Sequence, residues 1–285
     1  MDNSGVKGGF GKVLNTHGYG FQYSVLKLAH TLSEQNESQW IFEAAEFPVQ
    51  VQREGTRIDF VLRLRHNLPI YLLAECKRAN PALSNWCFAR APYVRRNRTT
   101  YEPLLIECVQ HDMNGLLYAS AQRGLDLKDA YHIALEVKSG EKGDPCGSGR
   151  GIIEEAATQI CRGLNGVVEF AAANKQILSN QASAYFLPVI FTTARVWASD
   201  VNLASADIEN GNINFDKTSL DEKPWIFYQY HLSPGIKHSH SPTERPTTMG
   251  ALLDSEYVRT IAVVAASGIA PFLRWSSDPD YYLTQ

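Results

Sequence analysis

Asp59 stands near the head of one apolar run, and Glu75-Cys76-Lys77 closes the next. Carboxylates brought together from the ends of adjacent strands offer hard oxygen donors, which suit a divalent cation such as Mg²⁺. A lysine two positions after one of them orients a water or stabilises charge developing on a phosphate. These residue types fit phosphodiester hydrolysis: cation and lysine organise the nucleophile, and the cation neutralises the oxyanion. A second acid-x-Lys triplet, Glu136-Val137-Lys138, competes for the role. Its nearest upstream acid, Asp129, is seven residues back along the same strand, ~23 Å in extended chain, too far to share one ion. The first triplet is preferred, and Lys138 is kept as a cleft residue or an exposed strand end.

The elements that must position the first triplet follow from the pattern around it. Residues 57–78 read RIDFVLRLRHNLPIYLLAECKR. His66-Asn67-Leu68-Pro69 is a turn signal, so the flanking runs are read as neighbouring antiparallel strands. Alternation places Ile58, Phe60, Leu62 and Leu64 on one face and Asp59, Val61, Arg63 and Arg65 on the other. On the next strand Tyr71, Leu73, Glu75 and Lys77 share a face. Upstream, Phe21, Val25, Leu28, Ala29 and Leu32 fall at helical spacing, and residues 40–52 read as a strand.

Downstream, residues 79–100 read as a loop carrying Arg90, Arg95, Arg96 and Arg98 with no acid among them, interleaved with Trp86, Phe88 and Tyr93. Following Lys77 and Arg78, such a stretch suits phosphate contact, with aromatics to pack on sugars or bases. Three apolar runs, 104–110, 116–122 and 131–138, suggest an antiparallel insertion. Residues 151–174 form the second clear helix, with an apolar stripe of Ile152, Ile153, Ala156, Ile160, Leu164, Val167, Val168 and Ala171 and with Glu154, Glu155 and Arg162 outside it; Gly163 and Gly166 permit close packing. The run 184–198 reads as a buried central strand with a natural end at Thr192-Thr193. The run 261–273, about 13 residues long, is too short to cross a bilayer and reads as a buried strand.

Composition narrows the classes. The chain has 285 residues, 44% of them hydrophobic and 20% charged, with a formal net charge of -3. That is a globular composition without general polycation character, so nucleic-acid binding must come from a local patch. The five cysteines, Cys76, Cys87, Cys108, Cys146 and Cys161, contain no CxxC pair, and their odd number fits reduced thiols. The eight histidines make no zinc pattern. Without a signal-like apolar stretch at the start, a cytoplasmic protein without membrane association is expected.

Taken together, these residues resemble the PD-(D/E)xK nuclease superfamily. Asp59 matches its first acid, Glu75 the second and Lys77 the lysine, and the order helix, three strands, helix, strand is matched over roughly residues 20–198. Ile58 replaces the proline that precedes the first acid in the family. The resemblance implies an α/β fold with a restriction-endonuclease-like mixed sheet flanked by helices. Residues 1–199 would form the core with an antiparallel β insertion near 80–150, and residues 200–285 an α/β extension packed on it. It further implies Mg²⁺, or Mn²⁺, held by Asp59 and Glu75, with Glu46 the acid chosen to join them ahead of Glu34 and Glu43. Lys77 would act on the water or the transition state. Gln159 would face the site, and Arg78, Arg90, Arg95, Arg96 and Arg98 would hold the backbone of DNA, or of RNA. The expected setting is prokaryotic restriction or anti-phage defence, as a homodimer or with a defence-complex partner. The competing expectation is a catalytically inactive nucleic-acid-binding or assembly protein of the same fold.

Overall fold

The computed structural model describes residues 4–51, 54–93, 105–110, 117–123, 130–138, 151–173, 183–233, 248–249 and 257–278. Arg95, Arg96 and Arg98 lie outside the described residues. The fold is α/β, a mixed sheet flanked by helices. Its strands run in the order β1 (Trp40–Val51), β2 (Glu54–Leu64), β3 (Ile70–Lys77), β9 (Ser183–Thr192), β13 (Val258–Ala265), β12 (Trp225–His231) and β7 (Ala130–Tyr131). β1, β2 and β3 form an antiparallel meander, and β9 then runs parallel to both β3 and β13. The hairpin of β5 (Leu105–Gln110) and β6 (Leu117–Arg123) joins the sheet through antiparallel pairing of β5 with the first half of β9.

A second sheet takes the order β11 (Leu220–Lys223), β10 (Arg195–Ser199), β4 (Asn85–Ala89), β8 (Ile133–Val137). In the run 184–198 the central strand ends at Thr192, where the strand end was expected, and the residues after it form a further strand in the second sheet. At the break, the Thr192 hydroxyl accepts from the Ala194 N–H and the Thr193 hydroxyl from that of Ala79. These bonds satisfy backbone donors that a sheet ladder no longer serves.

Each face of the main sheet is closed by different helices. On one side α3 (Gly151–Ala173) and the second sheet bury Ile153, Ala156, Ile160, Leu164 and Val168 against Val61, Leu73, Phe186, Ile190, Ile261 and Val263. α3 lies close because of its glycines. A Cβ at Gly163 would stand 2.8 Å from Ile58 Cγ1, and one at Gly166 would stand 2.6 Å from Val49 Cβ. On the other side α2 (Tyr19–Glu34) and α4 (Ile269–Ser276) cover Trp40, Phe60, Leu62, Leu72, Phe191 and Val264. The run 261–273, expected as one buried strand, is strand only as far as Ala265 at the end of β13; a short 3₁₀ turn and α4 take up the rest. Pro271 sits in the first turn of α4, where its missing N–H costs no helical hydrogen bond.

Two further features are a helix at the N-terminus, where the sequence reading placed no element, and strand structure in the basic stretch, where it placed a loop. Residues Ser4–Thr16 form a helix, α1, which the four glycines of that segment hid from a propensity reading. Gly18 joins it to α2 at φ 78°, a conformation open to glycine without strain. The stretch after Lys77 is not simply a loop, because it contains a 3₁₀ turn and then β4. Trp86 and Phe88 are fully buried in β4 between the second sheet and its neighbours, so they are core residues and not stacking platforms.

Candidate active site

The strand ends of β2 and β3 determine where the predicted acids meet. β2 pairs with β3 from Arg63↔Tyr71 to Phe60↔Ala74 and no further, although β2 stays paired with β1 down to Glu54. Asp59 and Glu75 are the first residues beyond this last pair. The Asp59 carboxylate fills the gap: its Oδ2 accepts from the Cys76 N–H at 2.7 Å, replacing a ladder bond across the parting strands. The opening is a consequence of the sheet's own geometry.

At the same level the side-chain alternation resets in both β1 and β2. Ala45 and Phe60 pack on the α2 side, whereas Phe47 and Ile58 pack on the α3 side, two positions along each strand. Strict alternation had grouped Ile58 with Phe60, and the structure instead groups it with Val61. Between them lie Glu46, at φ 50°, and Asp59, whose carbonyl accepts from Gln22 Nε2 of α2 at 3.0 Å. A non-glycine residue at positive φ stores strain that recurs at functional sites. Gln22 Nε2 also donates to Glu46 Oε1 at 2.8 Å, so one buried amide ties the irregular points of both strands to α2.

From the α3 side, Glu75 and Lys77 project together as their two-residue spacing requires. Lys77 Nζ lies 3.0 Å from Glu75 Oε1 and 3.1 Å from Glu155 Oε1, and it also donates to Gln159 Oε1. Glu155 and Gln159 are one helical turn apart on α3, the spacing that places two side chains over one spot. Gln159, an expected auxiliary residue, thus reaches the lysine. Glu155 lies outside the apolar stripe of α3, and that exclusion is the only sign of it in the sequence.

Burial sets the electrostatics. Glu75 is 4% exposed; burial pushes its carboxyl up to about 7, and the neighbouring Asp59 adds to the rise against the pull of Lys77. Asp59 is pushed up to about 6, first by burial and then by Glu46, despite the opposing Cys76 N–H. For Lys77 burial acts downward, but Glu75 and Glu155 outweigh it and hold its ammonium above the usual lysine range. Among the described residues no three His, Cys, Asp or Glu side chains are gathered closely enough to hold a metal ion by themselves.

Comparison of the chain with protein-family models, with curated proteins and with solved structures gave no match. The site rests on its own geometry.

The remaining predicted residues separate from it. Arg78 is exposed and donates to the Asn15 carbonyl at the end of α1. Arg90 stacks over the Tyr131 ring at 5.4 Å. Glu34 pairs with His30 and Glu43 with Arg63, both at the surface. Glu136, the acid of the second triplet, is 2% exposed and caps α3: its Oε1 accepts from the N–H groups of Ile152 and Ile153, the latter at 3.1 Å. A carboxylate on free N–H groups at a helix start is a capping interaction strengthened by the helix dipole. Lys138 follows the end of β8 and is exposed.

Proposed function

We propose that this chain is a divalent-metal-dependent nuclease of restriction-endonuclease-like fold that hydrolyses phosphodiester bonds in DNA. The observation that carries the reading is the meeting of Asp59, Glu75 and Lys77 where β2 and β3 part. The donor set fits Mg²⁺, or Mn²⁺: the buried Glu75 and the half-buried Asp59, both with raised proton affinity, would be relieved by a cation between them. Two protein carboxylates suit an ion that keeps several waters. Asp59 and Glu75 would hold the ion, with Glu46 behind Asp59. When bound, it would supply positive charge to the phosphate and acidify a water.

The chain's own residues do the rest. Lys77, aimed by Glu155 and Gln159, places an ammonium beside the carboxylates, where it orients the attacking water and stabilises charge developing on the phosphate. Gln22 fixes Glu46 and the Asp59 backbone, so the acids do not have to reorganise. Arg78, exposed and next in the chain to Lys77, would supply positive charge for the polyanionic backbone away from the reacting centre. Cutting both strands of a duplex calls for two such sites, hence a homodimer or a partner in a restriction or anti-phage defence assembly.

One experiment tests this. Labelled duplex DNA is incubated with the protein and Mg²⁺ or Mn²⁺, with an RNA arm alongside. Cleavage is expected with the ion and not with EDTA. Asp59→Ala and Lys77→Ala should each lower the rate by about 10²-fold or more while gel-shift binding persists. A folded wild-type protein that binds DNA and never cuts it with either ion would overturn the enzyme reading in favour of a binding or assembly role. That rival draws on Lys77 already being paired with Glu75 and Glu155.

A further inference from the structure

A second polar cavity lies on the opposite flank of the first turn of α3. It has a volume of about 270 Å³ and is lined by Ala91, His132, Glu154, Tyr228, Tyr230 and His231, with Ile133 and Ala134 as its apolar floor. Glu154 and Glu155 are consecutive, so α3 sends one carboxylate to Lys77 and the next to this cavity. The volume is just under the ~300–1,000 Å³ of pockets that take drug-sized ligands, so a single ring system is the fitting guest.

Its polar groups are arranged and not merely present. The Tyr230 hydroxyl donates to Glu154 Oε1 at 2.8 Å and lies 2.9 Å from the Thr158 hydroxyl, which fixes the carboxylate against the wall. Tyr230 is buried, and burial pushes its phenol up to about 12, so it stays a donor across the physiological range. The Tyr228 and Tyr230 rings stand 6.0 Å apart at 49°, and Phe88 braces Tyr228 edge-on at 5.6 Å. His132 Nδ1 accepts from the Ala91 N–H at 3.3 Å, so the neutral ring carries its proton on Nε2. The lining therefore combines an oriented acceptor pair, an imidazole and aromatic surface.

We infer that this cavity binds a guanine base, with the Glu154 carboxylate accepting from its two adjacent N–H donors. Guanine presents a ring N–H beside an exocyclic amine, and a carboxylate with two oxygens matches that pair in parallel. Adenine and cytosine place a ring acceptor beside the amine, which a carboxylate repels, and uracil offers one N–H between two carbonyls. The buried rings of Tyr228 and Tyr230 form the wall of the cavity without selecting among bases, so discrimination rests on Glu154. The inference stands apart from the nuclease reading, since none of its groups belongs to the Asp59–Glu75–Lys77 cluster.

Calorimetric titration of the intact protein with guanosine, adenosine, cytidine and uridine 5′-monophosphates tests it. The guanosine nucleotide should bind at least about tenfold more tightly than the others, the difference expected for unpaired buried acceptors. Glu154→Gln, which turns one acceptor into a donor, should remove that preference, and Ala91→Trp, which fills the cavity, should abolish binding. A melting temperature near wild type identifies a folded variant, and Asp59→Ala should bind as wild type does. A guanine-containing single strand that binds in a Glu154-dependent way where the mononucleotide does not would place the base in a nucleic acid and support the inference. Equal affinity for guanine and adenine nucleotides, affinity unchanged in folded Glu154→Gln, or no binding of either guanine ligand at ~1 mM would overturn it.

Discussion

Asp59 and Glu75 show how two ordinary carboxylates acquire unusual behaviour from position alone. Both sit where the sheet opens; burial raises both, Asp59 adds to the rise of Glu75, and Glu46 adds to that of the half-buried Asp59. The folded protein therefore holds protons that the unfolded chain releases near pH 4. Stability from this source is fully present below the unfolded carboxyl range and is lost as pH rises through about 6 to 7. For Glu75, the more buried, the loss is on the order of 1–3 kcal/mol. Urea denaturation at pH 5 and pH 8 is expected to show this decline, and Glu75→Gln should flatten it. An Mg²⁺ ion held as proposed would compete with these protons, so the rise in melting temperature that it produces should be larger at pH 8 than at pH 5.5. A rise independent of pH would place the ion elsewhere.

Helix α3 is the element on which the site depends. Its Gly163 and Gly166 let it rest against Ile58 and Val49, which both lie beyond the alternation reset on the α3 side. Its first turns then present Glu155 and Gln159 to Lys77 and Glu154 to the second cavity. Glu136 anchors that first turn from β8. Glu136→Ala is expected to cost about 1–3 kcal/mol in unfolding free energy, through lost capping and orphaned N–H groups. Chemical denaturation measures it. Lys138→Ala, at an exposed position, should change stability by no more than about 0.5 kcal/mol. A Glu136 variant of unchanged stability would contradict its role as a cap and reopen the second triplet.

For the whole molecule, β12, β13 and α4, all from the last third of the chain, are interior structure. β13 lies between β9 and β12, and every described β13 residue from Arg259 to Ala265 is buried. α4 returns to the N-terminal half: Trp40 Nε1 donates to the Ser276 hydroxyl at 3.0 Å, and the Ser38 hydroxyl donates to the Leu273 carbonyl at 3.2 Å. Chains ending at residue 199 or 256 would expose the β9 edge and the apolar surface that α4 covers. Both truncations are expected to lack a cooperative melting transition by circular dichroism. A cooperatively melting 1–199 fragment would show that the core closes without β13. Among the described residues no helix is long and apolar enough to cross a membrane.

What the sequence determined by itself is local and periodic. The hairpin ending in Glu75-x-Lys77, the common face of Tyr71, Leu73, Glu75 and Lys77, and the helices over 21–34 and 151–173 follow from spacings of two and of 3.6 residues. The tertiary structure decided whatever depends on pairing between distant segments. Alternation could not locate the reset at Glu46 and Asp59, because it arises between two strands and a glutamine from a helix. Residue type marked Trp86 and Phe88 as aromatic, but only the second sheet made them core. Glu136 and Glu75 stand in the same acid-x-Lys pattern, and one caps a helix while the other lines the opening because different backbone groups face them.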